Sequence, residues 1–533
     1  MLTGHVRDAD TKENLSEATV SLVGTKQLVT DKKGDFKVSE LCMGSYTIEI
    51  SHVGCEPIRR TINLVKHMHL DLLLPHSRNN LATVTVEAQK GIANTGFRQQ
   101  LQGQTLEETR GLSLAESLSK VNGVNMLQTG STISKPVIHG LHSNRILTIN
   151  NGIRQEGQQW GSEHAPEIDP YIADKLTVIK GVDELKYGSD AIGGVILVDP
   201  KPLKHLPGFS GEFNTGYFTN NNQYVASGIF EQQLNKIPAL SYRLQGTFKQ
   251  AGNVSTPGYR LNNTGLKERN FSVAADWKKP SYNVQAFYSQ FTTDIGIFTG
   301  AHIGNLTDLL NAISQDRPNE LFLGQKTYRI RRPRQEVLHR LFKLTSTFNR
   351  NKHTFNVTVG AQYNQRKEFD IIRNTTSTSP QLTLSILTLT EQLSWDHPAW
   401  HGIKGTAGVS LMQQDNSYSG RYLIPNYFSN TFGGYWIEKW SKNNFDVEGG
   451  VRFDRKLIDT KRLRYGGFET NHGFEYSTLA ASVNTVYKFA TNFRVNANLS
   501  LASRAPHVNE LLIDGIHEGT GTYEVGDITL RPE

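Results

Sequence analysis

The chain has 533 residues, enough for several ordinary domains or for one large architecture with small attachments. Hydrophobic residues make up 37% and charged residues 20%, mean hydropathy is −0.44, and no run approaches the roughly 20 apolar residues of a spanning helix. A helical membrane protein is excluded; a β-barrel is not, because its lipid-facing and lumen-facing residues alternate and average to a polar composition.

The start, MLTGHVRDADTKENL, shows no charged region followed by an apolar one, so no signal peptide is visible. Everything downstream argues for export, and the beginning is expected to be truncated or misplaced. Residues 1–75 alternate in short segments, TVSLVGT, TDKKGDF and SYTIEI, broken by Gly and Asp/Lys turns at the spacing of a small β-sandwich. Cys42 and Cys55 are the only cysteines, too few for a disulfide framework; a local pair and two ordinary thiols both remain open. Residues 76–90 form a linker whose β-prone core, Thr83, Val84, Thr85 and Val86, is either one more strand or a segment that adds to the edge of a partner's sheet.

Residues 91–204 change to mixed helix and strand, an α+β pattern. SLAESLSKVNGV (113–124) places Leu114, Leu118 and Val121 at helical spacing with Gly123 as the stop. Strands follow in PVIHGL, NRILTINNG and KLTVIKG. In IKGVDELKYGSDAIGGVI (179–196) a helical turn comes first and the glycines feed a strand, the reverse of a phosphate cradle, so no nucleotide site is expected. Gly188 ends that turn, while Gly193 and Gly194 allow backbones to approach closely.

Residues 205–533 alternate almost throughout. FRVNANLSL (493–501) and FDVEGGVRFD (445–454) each set apolar residues on one face against charges and amides on the other. Segments near 10 residues long, with polar inner faces and aromatics at their ends, predict an antiparallel transmembrane barrel with a wet lumen. The long connection around 294–335 carries the amphipathic stretch GNLTDLLNAISQD and the basic cluster YRIRRPRQ. That cluster reads as a solvated loop end or as a contact for anionic headgroups. The net charge of +7 is otherwise scattered among acids, and no nucleic-acid partner is expected. No G-x-S-x-G elbow occurs and Ser189-Asp190 has no histidine nearby in sequence, so the chain is not expected to be an enzyme.

GLHSNRILTINNGI (140–153) and KLTVIKGVDELKYGSDAIGGVILVDP (175–200) resemble, in order and spacing, two plug signatures of TonB-dependent outer-membrane receptors. The first 75 residues resemble the carboxypeptidase regulatory-like domain, LATVTVEAQ resembles the TonB box, and SRAPHVNELLIDGIHEGTGTYEVGDITLRPE resembles a late barrel segment. The fold implied is mainly β: a small sandwich, a plug and an antiparallel barrel. The family's barrel has 22 strands, whereas residues after the plug accommodate about 13–15, which predicts an incomplete barrel with two unpaired edges. The resemblance implies an outer-membrane location and energised transport, with Thr83, Val84, Thr85 and Val86 pairing with TonB. It assigns Arg145, Gly188, Gly193 and Gly194 to plug integrity. Outer-membrane lipid and lipopolysaccharide are the other partners implied.

Cargo candidates come from QEGQQWGSEHAPEIDP (155–170), expected to point outward, and from GIHEG near the end. His139, His142, Glu163, His164, Asp169, His517 and Glu518 carry imidazoles and carboxylates suited to zinc or another divalent ion as cargo, with no intrinsic cofactor. Solvated loop residues, or His164 packed on Trp160, account for the same pattern. A siderophore, haem, a glycan or peptide cargo, and a non-transporting surface receptor are the alternatives.

Overall fold

The computed structural model describes residues 1–9, 12–22, 26–39, 41–52, 55, 57–75, 97–130, 133–157, 160–161, 164–205, 207–301, 306–371, 377–463, 469–490, 493–517 and 522–533. Two compact units divide the chain, residues 1–83 and 84–533.

The first unit holds β1 (Leu2–Asp8), β2 (Thr19–Leu22), β3 (Lys26–Val29), β4 (Asp35–Val38), β5 (Gly44–Ser51), β6 (Ile58–Leu64) and β7 (Met68–Leu74). They form two sheets, β4-β1-β7 and β3-β2-β5-β6. Alternate residues of both, among them Leu2, Val6, Val20, Ile48 and Leu74, meet in one buried core, which makes the unit a sandwich. Cys42 is exposed, Cys55 is buried, and both are free thiols.

In the second unit, β8 (Phe97–Gln102), α1 (Gly103–Glu107), α2 (Leu114–Leu118), β9 (Val124–Thr129), β10 (Ile133–Ile138), β11 (Leu147–Asn150), β12 (Ile153–Arg154), β13 (Ala173–Lys180) and β14 (Val195–Pro200) build a small α+β body. Its five-stranded sheet runs β12-β11-β14-β13-β8, with β11 parallel to β14 and the other pairs antiparallel. Helix α2 starts where the sequence places it, at a Ser113 cap whose hydroxyl accepts from Glu116 N–H while the Glu116 carboxylate takes Ser113 N–H. It ends at Leu118, short of the expected stop, and Gly123 instead turns the chain into β9 at φ +76°. Asn151 (φ +49°) and Gly152 (φ +82°) make the left-handed pair that a two-residue hairpin turn requires.

A wall surrounds part of this body: β15 (Gly208–Phe218), β16 (Gln223–Gln233), β17 (Leu240–Ala251), β18 (Leu266–Lys278), β19 (Tyr282–Gly296), then α3 (Leu306–Ile313), β20 (Arg334–Arg350), β21 (His353–Phe369), β22 (Leu382–Asp396), β23 (Ile403–Gly420), β24 (Asn426–Lys442), β25 (Phe445–Leu463), β26 (Glu469–Ala490) and β27 (Phe493–Leu501). These are 13 strands in one antiparallel sheet, each paired with the next in sequence. Its first and last strands, β15 and β27, are not paired with each other. Strand length grows from 11 residues in β15 to 22 in β26, beyond the expected ten. The added rows carry Lys267, Asp294, Glu336 and Lys367 side by side on the outer face, a composition that belongs above an apolar band rather than in it. Links 234–239, 279–281, 351–352 and 443–444 are short and lie at one rim; 252–265, 297–333 and 370–381 are longer and lie at the other.

Alternation decides the two faces of the wall. In β25, Asp446, Glu448, Arg452 and Asp454 are buried, while Val451 and Phe453 are about half exposed on the outside. The small body fills the wall's interior, and its core of Leu118, Ile138, Val178 and Ile196 extends to Phe287 and Leu341 of the wall. After β27 the chain leaves the sheet. Helix α4 (Val508–Leu512) and the hairpin of β28 (Asp514–His517) and β29 (Thr522–Val525) follow, so the segment expected to continue the barrel is not part of its wall.

Candidate functional site

The stretch 179–196 becomes strand β13, a 3-10 turn over Val182–Lys186, a glycine bend and strand β14. Gly193 donates its N–H to Arg145 O at 2.7 Å, and a Cβ on Gly193 would sit 2.8 Å from that same oxygen. Gly188 (φ +133°) and Gly194 (φ +122°) hold conformations that side chains rarely adopt. The Arg145 guanidinium reaches Glu533 at 2.9 Å, which Arg504 also binds at 2.7 Å.

The described members of 155–170 do not point into solvent as the sequence suggests; Gln155, Glu156, Trp160, His164 and Glu167 are buried, and Trp160, His164 and Glu167 bond the wall. Alternation turns Asn364, Arg366 and Glu368 of β21 toward the lumen, where each needs a polar partner. Glu167 pairs with Arg366 at 2.5 Å and accepts from Asn364 at 3.1 Å. His164, fully buried, meets Glu368 at 3.2 Å, and the Trp160 ring stands edge-on to it at 6.2 Å. The Trp160 indole N–H donates to Asn416 at 3.0 Å, while its ring packs among Leu384, Ile424 and Leu511. Lys343 donates to Asn151 O at 2.6 Å and Gln362 to Arg154 O at 2.7 Å.

A second attachment forms around Asp183, which faces Arg98 of β8 at 3.4 Å, Lys186 at 3.6 Å and Lys439 of the wall at 3.6 Å. A third joins Asp190 to Arg154 at 2.7 Å and to His507 at 3.5 Å, with Glu156 on Arg154 at 2.6 Å. Burial opposes charge on Asp190, yet Arg154 and His507 hold its carboxyl well below the usual carboxylate range. Burial, with Lys456 alongside, pushes the His507 imidazole down to about 4. Asn144 donates to Asn509 at 3.3 Å. Through these contacts the segment after β27 lies against the inner body.

The described members of the set singled out for metal chemistry, His139, His142, His164 and Asp169, each meet other partners. The His139 ring lies 2.5 Å from Lys180 Nζ, and His142 lies against Ser143 at 3.0 Å. Asp169 accepts Tyr171 N–H at 3.0 Å and caps a 3-10 turn; burial pushes its carboxyl up to about 6. His517 falls on β28, but its side chain, Glu163 and Glu518 lie outside the described residues, as do Thr83, Val84, Thr85 and Val86. Among the described residues no group of three or more His, Cys, Asp or Glu is placed to hold a metal ion. The ionic contacts of Asp183, Asp190 and Glu167 were not singled out in the sequence. Their only signal there is a charge where alternation turns a strand residue inward, and that signal does not name the partner.

A strand wall with apolar outer and polar inner faces, stoppered by a separate α+β body, defines an outer-membrane barrel with a plug. Residues 204–533 match the model "TonB dependent receptor-like, beta-barrel", 92–195 the "TonB-dependent Receptor Plug Domain", and 2–86 the "CarboxypepD_reg-like domain". The chain belongs to the TonB-dependent receptors, a family of outer-membrane receptors and transporters rather than enzymes. It is 22% identical over 448 residues to the vitamin B12 transporter BtuB of Vibrio cholerae serotype O1, covering 81% of this chain and 62% of that one. Heme/hemopexin utilization protein C of Haemophilus influenzae is 23% identical over 488 residues, again with 62% of its length covered. Among solved structures, the copper transporter OprC (16% identity) superposes with a TM-score of 0.60 over 78% of this chain and 64% of that one. The hemophore receptor HasR of Serratia marcescens (12% identity) gives 0.61 over 82% and 67%. The chain thus spans less than two thirds of the curated relatives it matches.

Proposed function

We propose that this chain serves TonB-dependent active transport across the outer membrane, and that its cargo is a metal complex of the siderophore, haem or corrin kind rather than a bare ion. The observation that carries the transport reading is the set of plug–wall polar contacts, the ion pairs Glu167–Arg366 and Asp183–Lys439 and the hydrogen-bonded pair His164–Glu368. Leaving one member of a buried pair enclosed without its counter-charge costs about 3–5 kcal/mol, so thermal parting of several together is rare and passage requires work from outside the chain. TonB, drawing on residues 83–86, supplies that work in this reading; among the described residues β8 is the first plug strand after them and lies at the sheet edge beside β13, where it would be peeled first. Favouring a complex over free zinc are the separate placement of the described imidazoles and carboxylates and the B12, hemin and siderophore cargoes printed in the names of relatives and neighbours.

Val84→Pro tests this. Proline removes a main-chain donor needed for strand addition, so energised uptake of a haem or corrinoid panel is expected to fall to background while cargo binding to cells is unchanged. Uptake that persists in the variant places the TonB contact elsewhere; uptake of zinc alone by the parent rejects the cargo class.

A further inference from the structure

Two of the polar inner rows of the wall are interrupted by glycine. On β21, Gly360 shares its face with Gln362, Asn364 and Arg366; on β25, Gly450 shares its face with Asp446, Glu448 and Arg452. One side chain of the plug enters each gap. A Cβ on Gly360 would stand 2.7 Å from Ile153 Cδ1 and 3.2 Å from Ile153 Cγ1, and the three heavy atoms nearest to it all belong to Ile153. A Cβ on Gly450 would stand 2.9 Å from Leu185 Cδ1 and 2.8 Å from Ile437 Cγ1. Ile153, at the start of β12, is 1% exposed, and Leu185, in the 3-10 turn Val182–Lys186, is 5% exposed. Ile437 and Ala480 of the wall close round Leu185, and Arg452 donates to its carbonyl at 3.1 Å.

The same fit runs in the other direction. Phe218 of β15, Asn364 of β21 and Asn498 of β27 occupy the space that a Cβ on Gly111, Gly157 and Gly181 of the plug would need. Polar contacts alone leave the seat of the plug loosely determined, because a lumen amide or ammonium gives up one carbonyl for another at small net cost. An aliphatic side chain is more exacting, since it enters only where the opposing residue has no side chain. Moved two residues along β21, Ile153 would meet Thr358 or Gln362; moved two along β25, Leu185 would meet Glu448 or Arg452. Either move crowds an occupied position and encloses polar groups without partners. The two gaps lie on strands that are not neighbours, so together they set the rotation of the plug as well as its height.

We propose that Gly360 and Gly450 are positioning residues, sockets that take Ile153 and Leu185 and return the plug to one register after it has been displaced. This role rests on the transport reading only in that the plug must be displaced; it requires no particular cargo and no particular TonB contact.

Trp160 supplies the readout, being fully enclosed at the boundary of plug and wall and bonded to Asn416 at 3.0 Å. Subtracting the emission of the same variant with Trp160→Phe isolates its signal. The full chain in detergent is stepped into urea that exposes Trp160 while the far-UV signal of the wall persists, then diluted, and the return of enclosed emission is timed. Gly360→Val is expected to slow that return about tenfold, as overpacking of a fitted contact does. Gly360→Val with Ile153→Ala moves bulk from plug to wall at unchanged side-chain carbon and should recover most of the parental rate. Leu185→Ala should slow the return as well; it stands in for a change at Gly450, where a Cβ would also meet Trp436 O at 3.0 Å within the wall. Gly434→Val should behave as the parent, because a Cβ there faces outward and meets nothing nearer than 3.9 Å. Hydrogen exchange of the β13 and β14 amides measures the same opening without denaturant, several-fold faster in Gly360→Val and restored in the double variant. Parental return and exchange in both Gly360→Val and Leu185→Ala, a double variant no better than Gly360→Val, or equal slowing by Gly434→Val would each overturn the proposal. No arm involves TonB, so the Val84→Pro result and this one fail separately.

Discussion

Glu184 lies in the 3-10 turn that follows β13, where burial pushes its carboxyl up to about 8 despite Lys180 nearby. Its ordinary value is 4.5, so between those two values the native chain holds a proton that the unfolded chain releases. Stability contributed by this group is therefore present at low pH and is lost as pH rises from 4.5 toward 8. Glu184→Gln is expected to melt higher than the parent at pH 8 and at nearly the same temperature at pH 4. Melting curves across that range check it, and a constant difference between variant and parent at every pH would show that Glu184 titrates alike in the native and unfolded chains. His164 makes the complementary point at this scale. Its residue type suggested a metal ligand, but the imidazole is enclosed between Trp160 and Glu368.

Among elements, the loop 155–170 and strand β21 depend on each other. Arg366 is 98% enclosed and divides its donors between Glu167 and Gln335. Glu167→Gln keeps the shape and leaves a buried cation without its counter-charge, an expected loss of about 3–5 kcal/mol. The double variant with Arg366→Gln should recover most of that loss, since neither charge then remains buried alone. Denaturant unfolding of the four combinations measures the coupling; additive losses would mean that the two side chains do not act as a pair. In FNVTVGAQY (355–363) apolar and polar residues alternate as in the segments quoted for the wall, and the burial of Asn364, Arg366 and Glu368 of β21 follows from the same period of two. The loop was not legible in this way. It has no periodicity, and its polar composition fits solvent as well as it fits a polar wall.

For the whole molecule, the plug is anchored near β21 through Glu167–Arg366 and near β24 through Asp183–Lys439. Arg366→Gln combined with Lys439→Gln should loosen both attachments. The expected outcome is a several-fold rise in sensitivity to a large antibiotic that the outer membrane normally excludes, with either single change giving less. Unchanged sensitivity would show that the remaining contacts, Lys343–Asn151 and Gln362–Arg154 among them, suffice to seat the plug.

By itself the sequence determined the order of sandwich, plug and wall, a strand number of about 13–15 within which the observed 13 falls, and the inward and outward faces. These follow from local rules: period-two alternation, turn residues and plug signatures carried within single segments. Only the tertiary structure decided that Asp190 meets His507, that Arg145 meets Glu533, and that Trp160 is enclosed beneath α4 rather than offered to cargo. Each of those contacts joins residues hundreds of positions apart, and a charge in a polar lumen accepts many partners. Which one it takes is fixed by the register of the whole wall around the plug.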